Sequence, residues 1–296
     1  MELLFLGTSS MVPTAERSQS ALLVSLKNYD ILIDCGEGTQ RQLKIKKCAP
    51  TRIRKILISH WHGDHTLGVP GLIQTLGMSH YEGILEIYGP KGTRKHIKAL
   101  SSAFLFEQRL QLKIKEVSKG KIFEDSDIII TAEALDHGVP CIGFTIKEQD
   151  RRRIDVDYVK KLGIPDGPLL GNLQDGKTIE WKGKKVSAKK ATYVVQGKKL
   201  AYVVDTEMCR NCVKLAQDAD VLVSEATFTT EQEDKAFDYK HLSTKQAAQI
   251  ASQANAKLLI LTHFSQRYTS TTEIEQDAKV YFDNVKAAFD FMRIEV

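Results

Sequence analysis

The stretch SHWHGDH, Ser59 to His65, sets His60, His62, Asp64 and His65 within six residues. It follows RKILI, part of a short apolar run that reads as a buried strand, so the chain reaches the cluster from a strand end. A turn there can aim His60 and His62 at one ion. Asp64 and His65 then face a second position roughly 3.5–4 Å away, the usual spacing of paired catalytic metals. Gly63 supplies the freedom for a sharp turn. Four ligands cannot complete two coordination spheres, so this reading demands partners elsewhere.

Further strand ends supply them. His137 ends IIITAEALDH, Asp205 ends LAYVVD, Glu225 ends VLVSE and His263 ends LLILTH. In layered α/β sheets the strand ends on one edge converge, and ligands bind there. Imidazole and carboxylate together suit zinc, and a shared Asp205 carboxylate can bridge two ions. His80 and His96, each isolated in its segment, read as structural or surface residues.

The rest of the chain fits a layered α/β fold. Its 296 residues are 42% hydrophobic and 27% charged, the balance of an ordinary globular protein rather than a disordered one. No apolar run approaches the roughly 20 residues of a membrane helix. The opening MELLFLGTSS reads as a strand and not as an export leader. Five cysteines, an odd number spread widely, argue against a disulfide framework and for a reducing compartment. A cytoplasmic location is the resulting expectation. Cys209 and Cys212 form one C-x-x-C, read as two thiols at the start of a helix because no second pair completes a four-thiolate site. Apolar runs alternate with helical patterns over the full length, which predicts a single domain over 1–296. A helix is predicted from near Asp64 through TLGVPGLIQTLGM. Others follow GPKGT, lie in DTEMCRNCVKLAQDA, and begin at Ser243 or Thr244.

One segment interrupts this order. From Lys147 to Lys199 there are 14 Lys/Arg against 7 Asp/Glu, whereas the remainder holds 28 against 30. The whole excess of the +5 net charge therefore sits in one insert, which points to an anionic partner. Pro165 and Pro168, with Gly163, Gly167 and Gly171, mark a protrusion, and VDYVKKLGI and KTIEW favour an ordered arm over 148–190.

The pattern H-x-H-x-D-H, followed by His137, Asp205 and His263, is similar to that of the metallo-β-lactamase superfamily. MELLFLGTSSMVP, DCGEGTQRQL, ILISHWHGDHTLGVPGLI, IYGPKG, SEATF, HLSTKQAA and LTHFSQRY resemble the ribonuclease Z family, the tRNA 3′-processing endonucleases, in its short form. The resemblance implies a four-layer αββα sandwich with an inserted exosite arm. It implies two zinc ions per subunit, one held by His60, His62 and His137, the other by Asp64, His65 and His263, with Asp205 between them. GIPDGPLLGNLQDGKTI resembles the family's tRNA-gripping exosite, with Gly167 and Pro168 near its tip and Lys160 and Lys161 beside it. A homodimer, one subunit's arm serving the other's active site, is likewise implied. Ser224 and Val204 depart from the family, which has histidine and glycine there.

The chemistry expected of such a site is attack of a metal-held hydroxide on a phosphodiester, leaving a 3′-hydroxyl on the tRNA. Asp64 is suited to accept the water proton. His241, in KHLSTKQ, is the candidate proton donor to the leaving oxygen, with Glu225 keeping it protonated and oriented. Arg267 is placed to bind phosphate, since guanidinium grips it bidentately. Asp34, in LIDCGEG, is a candidate acceptor orienting a ligand histidine. Two other functions use the same residues: a zinc phosphodiesterase acting on other RNA or small esters, and an RNA-binding module on the same scaffold.

Overall fold

The apolar runs form two seven-stranded sheets in the computed structural model, which describes residues 1–79, 81, 83–105 and 110–296. His80 lies outside the described residues. The first sheet runs, in spatial order, Arg293–Glu295, Glu2–Gly7, Ala21–Ser25, Asp30–Ile33, Ile53–Leu57, Ile84–Gly89 and Gln111–Glu116. Its first pairings are antiparallel, and those from Asp30–Ile33 onward are parallel. Leu4, Leu6, Leu23, Leu32 and Ile56 share one apolar cluster with Val69, Leu72 and Leu76 of the helix Val69–Met78. The alternate residues Leu3, Phe5, Leu22, Val24, Ile31 and Ile33 are buried just as fully on the other face. Strands covered on both faces read as continuous apolar runs, and the sheet is an inner layer.

The second sheet runs Val285–Ala287, Leu259–Thr262, Val221–Glu225, Lys199–Val203, Pro140–Glu148, Ile128–Asp136 and Gly120–Glu124. Ala201, Val203, Leu222, Leu259 and Leu261 pack with the helices Arg210–Ala216, Thr244–Gln253 and Thr272–Lys279. The two sheets meet where Phe264 N donates to Thr8 O at 2.9 Å and Ile142 N to Ser59 O at 3.0 Å. This is the expected layered α/β order, two seven-stranded sheets flanked by helices.

The structure corrects several local expectations. The helix predicted through 64–78 is two, Gly63–Thr66 and Val69–Met78. Gly68 N leaves the helical ladder to bond Cys35 O at 2.9 Å, and a Cβ on Gly68 would meet Gly36 O at 2.1 Å. Gly63 opens the first of these helices and makes no sharp turn. Ser243, not Thr244, caps the helix Thr244–Gln253 in a capping box with Gln246. The strand Pro140–Glu148 was not read from sequence because Gly143 interrupts it; there a Cβ would meet Leu215 Cδ1 at 2.5 Å.

The chain divides into two compact units: Met1–Glu124, Ile129–Ile146 and Lys199–Val296 make one, Asp125–Ile128 and Lys147–Lys198 the other. The second unit contains the segment 148–190. Arg151–Ile154 pairs with Thr192–Val195, and Ile179–Trp181 pairs with Lys184–Val186. Asp155 caps the helix Val156–Lys161, and Pro168 lies in the first turn of the helix Pro168–Gln174. Val159, Ile164, Leu173, Ile179, Val186 and Ala191 form a core of their own. That core, with Trp181 Nε1 donating to Leu162 O at 3.0 Å, orders a segment rich in Gly and Lys.

Candidate metal centre

The seven predicted ligands converge in the first unit, Asp64 and His65 from the short helix Gly63–Thr66 and the others from the segments that follow strands. Asp34 follows Asp30–Ile33 directly, His137 follows Ile128–Asp136, and His263 follows Leu259–Thr262. Asp34, Asp205 and His263 adopt left-handed backbone, with φ of 56°, 52° and 59°. Such a residue swings the chain off the sheet, and it is tolerated where the surroundings over-determine it. Val204 keeps ordinary backbone, because Asp205 itself makes the turn.

Among the described residues four groupings have possible ligand atoms within 4.8 Å of one another: His60, His62 and His137; Asp64, His65 and His263; His60, His65 and Asp205; and Asp205, Glu225, His241 and His263. The outer hydrogen bonds assign the tautomers. His65 Nδ1 donates to Asp34 Oδ2 at 2.8 Å, and His137 Nδ1 to Lys240 O at 2.9 Å. His263 Nδ1 lies 3.0 Å from Thr227 Oγ1, whose hydroxyl donates to Glu225 Oε2 at 2.6 Å. The Nε2 atoms of His65, His137 and His263 therefore face inward. His65 Nε2 and His263 Nε2 are 3.2 Å apart, and His137 Nε2 is 3.3 Å from His62 Nδ1.

Asp34, Asp64, Asp205 and Glu225 are all buried, and among the described residues their ion pairs are to histidines only. Burial pushes the His65 imidazole down, yet Asp205, Asp34 and Asp64 raise it well above the ordinary histidine range. Burial would raise Asp64 and Asp205, but the surrounding histidines hold both well below the usual carboxylate range. His60 is lowered by burial first and then by its neighbour His65. Asp205 Oδ2 lies 2.8 Å from His65 Nε2 but accepts no hydrogen bond, and His60 Nε2 and Asp64 Oδ1 are also buried without partners. Inward lone pairs, unpartnered oxygens and excess carboxylate charge together fit divalent cations, which would replace protons on the imidazoles.

His241 and Glu225 stand beside this cluster. Glu225 Oε1 accepts from Thr206 N at 2.7 Å, and Glu225 Oε2 lies 2.9 Å from His241 Nδ1. Ser224, at the position that departs from the family, turns its hydroxyl to Glu225 O and leaves that pair direct. Met11 N donates to Asp64 Oδ2 at 2.9 Å. A cavity of about 420 Å³ opens here, lined by Met11, Phe228, Tyr239, His241 and Arg267. The Arg267 guanidinium stacks 5.0 Å over the Phe228 ring and bonds Gln232 Oε1. Lys160 and Lys161 are exposed at the end of their helix in the second unit, and Gly167 with φ 147° precedes Pro168 there. His96 is an exposed residue stacked on Trp61 at 4.7 Å.

Sequence reading finds Asp34 but misses the residues that fix Asp34 and His263. Ser59 N and Oγ donate to Asp34 at 2.8 and 2.9 Å, and Tyr202 Oη donates to Asp34 Oδ2 at 3.0 Å. Thr227 joins Glu225 to His263. Ser59 and Thr227 had one usable signal, their place beside motif residues; Tyr202, inside an apolar run, had none.

Models of known families match parts of the chain: one described as beta-lactamase superfamily domain over residues 176–264, another as Anti-Pycsar protein Apyc1 over residues 1–136. Ribonuclease Z of Microcystis aeruginosa is 38% identical over 306 residues, which span 100% of this chain and 96% of that protein. Ribonuclease Z of a Bacillus cereus strain is 40% identical over 305 residues, spanning 100% and 99%. The chain belongs to the ribonuclease Z family. Among solved structures, the short form of human tRNase Z matches with a TM-score of 0.73 at 29% identity, covering 100% of this chain and 99% of that one. A metallo-β-lactamase fold protein from Bacillus subtilis matches with a TM-score of 0.72 at 18% identity, a likeness of fold. The ribonuclease Z relationship thus spans both units.

Proposed function

We propose that this chain is a metal-dependent endoribonuclease that removes the 3′ trailer from precursor tRNA and leaves a 3′-hydroxyl on the tRNA. The observation that carries this reading is the His241–Glu225 pair, 2.9 Å apart, in which His241 also lies 3.2 Å from Asp205 of the His/Asp cluster and lines the adjoining cavity. Hydrolysis of a thioester, whose thiolate departs without a proton, does not call for a histidine held protonated beside the leaving group; expulsion of an alkoxide does.

Two zinc ions per subunit are the proposed cofactors, held by His60, His62 and His137 on one side and Asp64, His65 and His263 on the other, with Asp205 shared. When bound, they supply positive charge to the phosphoryl oxygens and lower the pKa of the attacking water. Asp64, fixed by the Met11 amide, accepts that water's proton. His241 gives a proton to the departing oxygen, and Glu225 holds the ring at the angle required. Thr206 N and the Thr227 hydroxyl fix Glu225 in turn. Arg267, already stacked on Phe228, binds a neighbouring phosphate.

The arm of 148–190, with Lys160, Lys161, Gly167 and Pro168, would grip folded tRNA by shape and phosphate contacts. A homodimer in which each arm serves the other subunit's site is the arrangement this reading favours, and a cytoplasmic enzyme the location. No helix among the described residues is long and apolar enough to cross a membrane.

The test is cleavage of an end-labelled precursor tRNA by purified protein, with product ends mapped, before and after chelation. Trailer release with a 3′-hydroxyl, lost on chelation and regained with zinc, is expected. Chelator-resistant cleavage would overturn the metal role, and binding without cleavage would favour the RNA-binding reading.

A further inference from the structure

Cys209 and Cys212 take no part in the chemistry above, yet their sulfurs are in contact, with the two Sγ atoms 3.4 Å apart. Among the described residues no other two cysteines are so placed; Cys35 and Cys141 are buried singly and Cys48 is half-buried. Cys212 is locked in the apolar cluster with Leu215, Ala216 and Leu222. Cys209 is half-exposed and precedes the helix Arg210–Ala216, at the end of the loop that leads out from Asp205.

That loop is wired to the catalytic pair. Thr206 N donates to Glu225 Oε1 at 2.7 Å, and Asp136 N donates to Thr206 Oγ1 at 3.1 Å. Glu207 N donates to Asp136 O at 2.8 Å, and the Cys212 thiol faces Glu207 O at 3.7 Å. We infer that Cys209 and Cys212 form a reversible dithiol–disulfide couple whose closure shifts the Asp205–Cys209 loop and slows cleavage. A disulfide needs its sulfurs at about 2.05 Å, so the 3.4 Å contact must shorten. Cys212 is packed on all sides, so Cys209 moves and carries the loop with it.

The chemistry balances with a low-molecular-weight disulfide as oxidant. A hydrogen bond from the Cys212 thiol, helped by the backbone amides of Cys212 and Asn211, draws the Cys209 thiol down to about 6. The same pairing, with burial, pushes Cys212 up. The Cys209 thiolate attacks RSSR, forms a mixed disulfide and releases RS⁻. Cys212 then gives up its proton, attacks Cys209 Sγ and expels the second RS⁻. One S–S bond breaks and one forms; two electrons pass from the pair to RSSR, which leaves as two RSH once both thiolates are protonated.

The experiment equilibrates the metal-loaded enzyme in buffers of graded reduced-to-oxidised glutathione, then blocks free thiols with iodoacetamide for peptide mass analysis. As the buffer becomes oxidising, the Cys209–Cys212 peptide is expected to lose two hydrogen masses and escape alkylation. Turnover of precursor tRNA at saturation falls about tenfold in step, as expected for a displaced catalytic group, while KM stays constant. Dithiothreitol restores both, and neither Cys209→Ser nor Cys212→Ala loses turnover in oxidised buffer. Full alkylation of both thiols in oxidised glutathione, or persistence of the mixed disulfide, would overturn the couple whatever the substrate. A closed pair with unchanged turnover would overturn its link to cleavage.

Discussion

His241 Nδ1 lies 2.9 Å from Glu225 Oε2 and 3.2 Å from Asp205 Oδ1, so one ring edge faces two carboxylates. Burial would push the imidazole down, but Glu225 first and Asp205 second raise it from 6.5 to about 9. A raised value means that the folded chain holds this proton more tightly than the unfolded one. The stabilisation is complete below 6.5 and is lost as pH climbs through about 9. Turnover should therefore decline on an alkaline limb near pH 9, and Glu225→Gln should move that limb toward lower pH. A pH–rate profile of precursor cleavage at saturating substrate measures both, and an unmoved limb would remove His241 as the donor.

Asp34 gathers donors from Ser59, His65 and Tyr202. Asp34→Ala should free the His65 ring and lower metal affinity by about 10–100-fold, measured by competition with a chromophoric chelator. Tyr202→Phe, which removes one donor of four, should cost less than Asp34→Ala. Equal losses would show that the buried phenol, not the carboxylate, sets the ring.

Chelation should lower the melting temperature, because it leaves like-charged carboxylates buried with protons as their only balance. Zinc restored to about 100 times its Kd should return about 2.7 kcal/mol. Superimposable melting curves with and without zinc would mean that the centre holds itself together.

Deleting residues 150–190 should abolish cleavage of precursor tRNA and spare hydrolysis of a small phosphodiester. Replacing Lys160 and Lys161 by Ala should reduce the salt dependence of tRNA binding by a slope of about two, one for each phosphate that a lysine no longer neutralises. Parallel loss of both activities would make the arm a structural element.

Gly68→Ala should destabilise the fold by about 1–3 kcal/mol in a denaturant titration, since the added methyl meets backbone that has nowhere to go. Its Cβ would stand 2.1 Å from Gly36 O. Unchanged stability would show that the helix Gly63–Thr66 slides freely.

The layered fold and the candidate site were largely legible in the sequence, and the reason is physical. Strands buried on both faces must be continuous apolar runs, so a lone His, Asp or Glu at the end of one stands out. What stayed hidden depends on contacts between distant positions. Tyr202 and Asp34 are 168 residues apart, and nothing local marks the phenol as a donor. The break at Gly68 arises from the packing of Gly36 against it. The arm's order comes from a core that its dense Lys and Gly content disguises.

The left-handed backbone at Asp34, Asp205 and His263 bears on how an inert version of this protein should be made. Asparagine enters that region more readily than most side chains, whereas a β-branched residue is a true outlier there. Asp205→Asn removes the shared charge while keeping the turn that aims position 205. Asp205→Val would remove the charge and unmake the turn as well. The same logic favours His263→Asn over His263→Val for a protein meant to capture its RNA uncut, with the strand ends around the empty seat undisturbed.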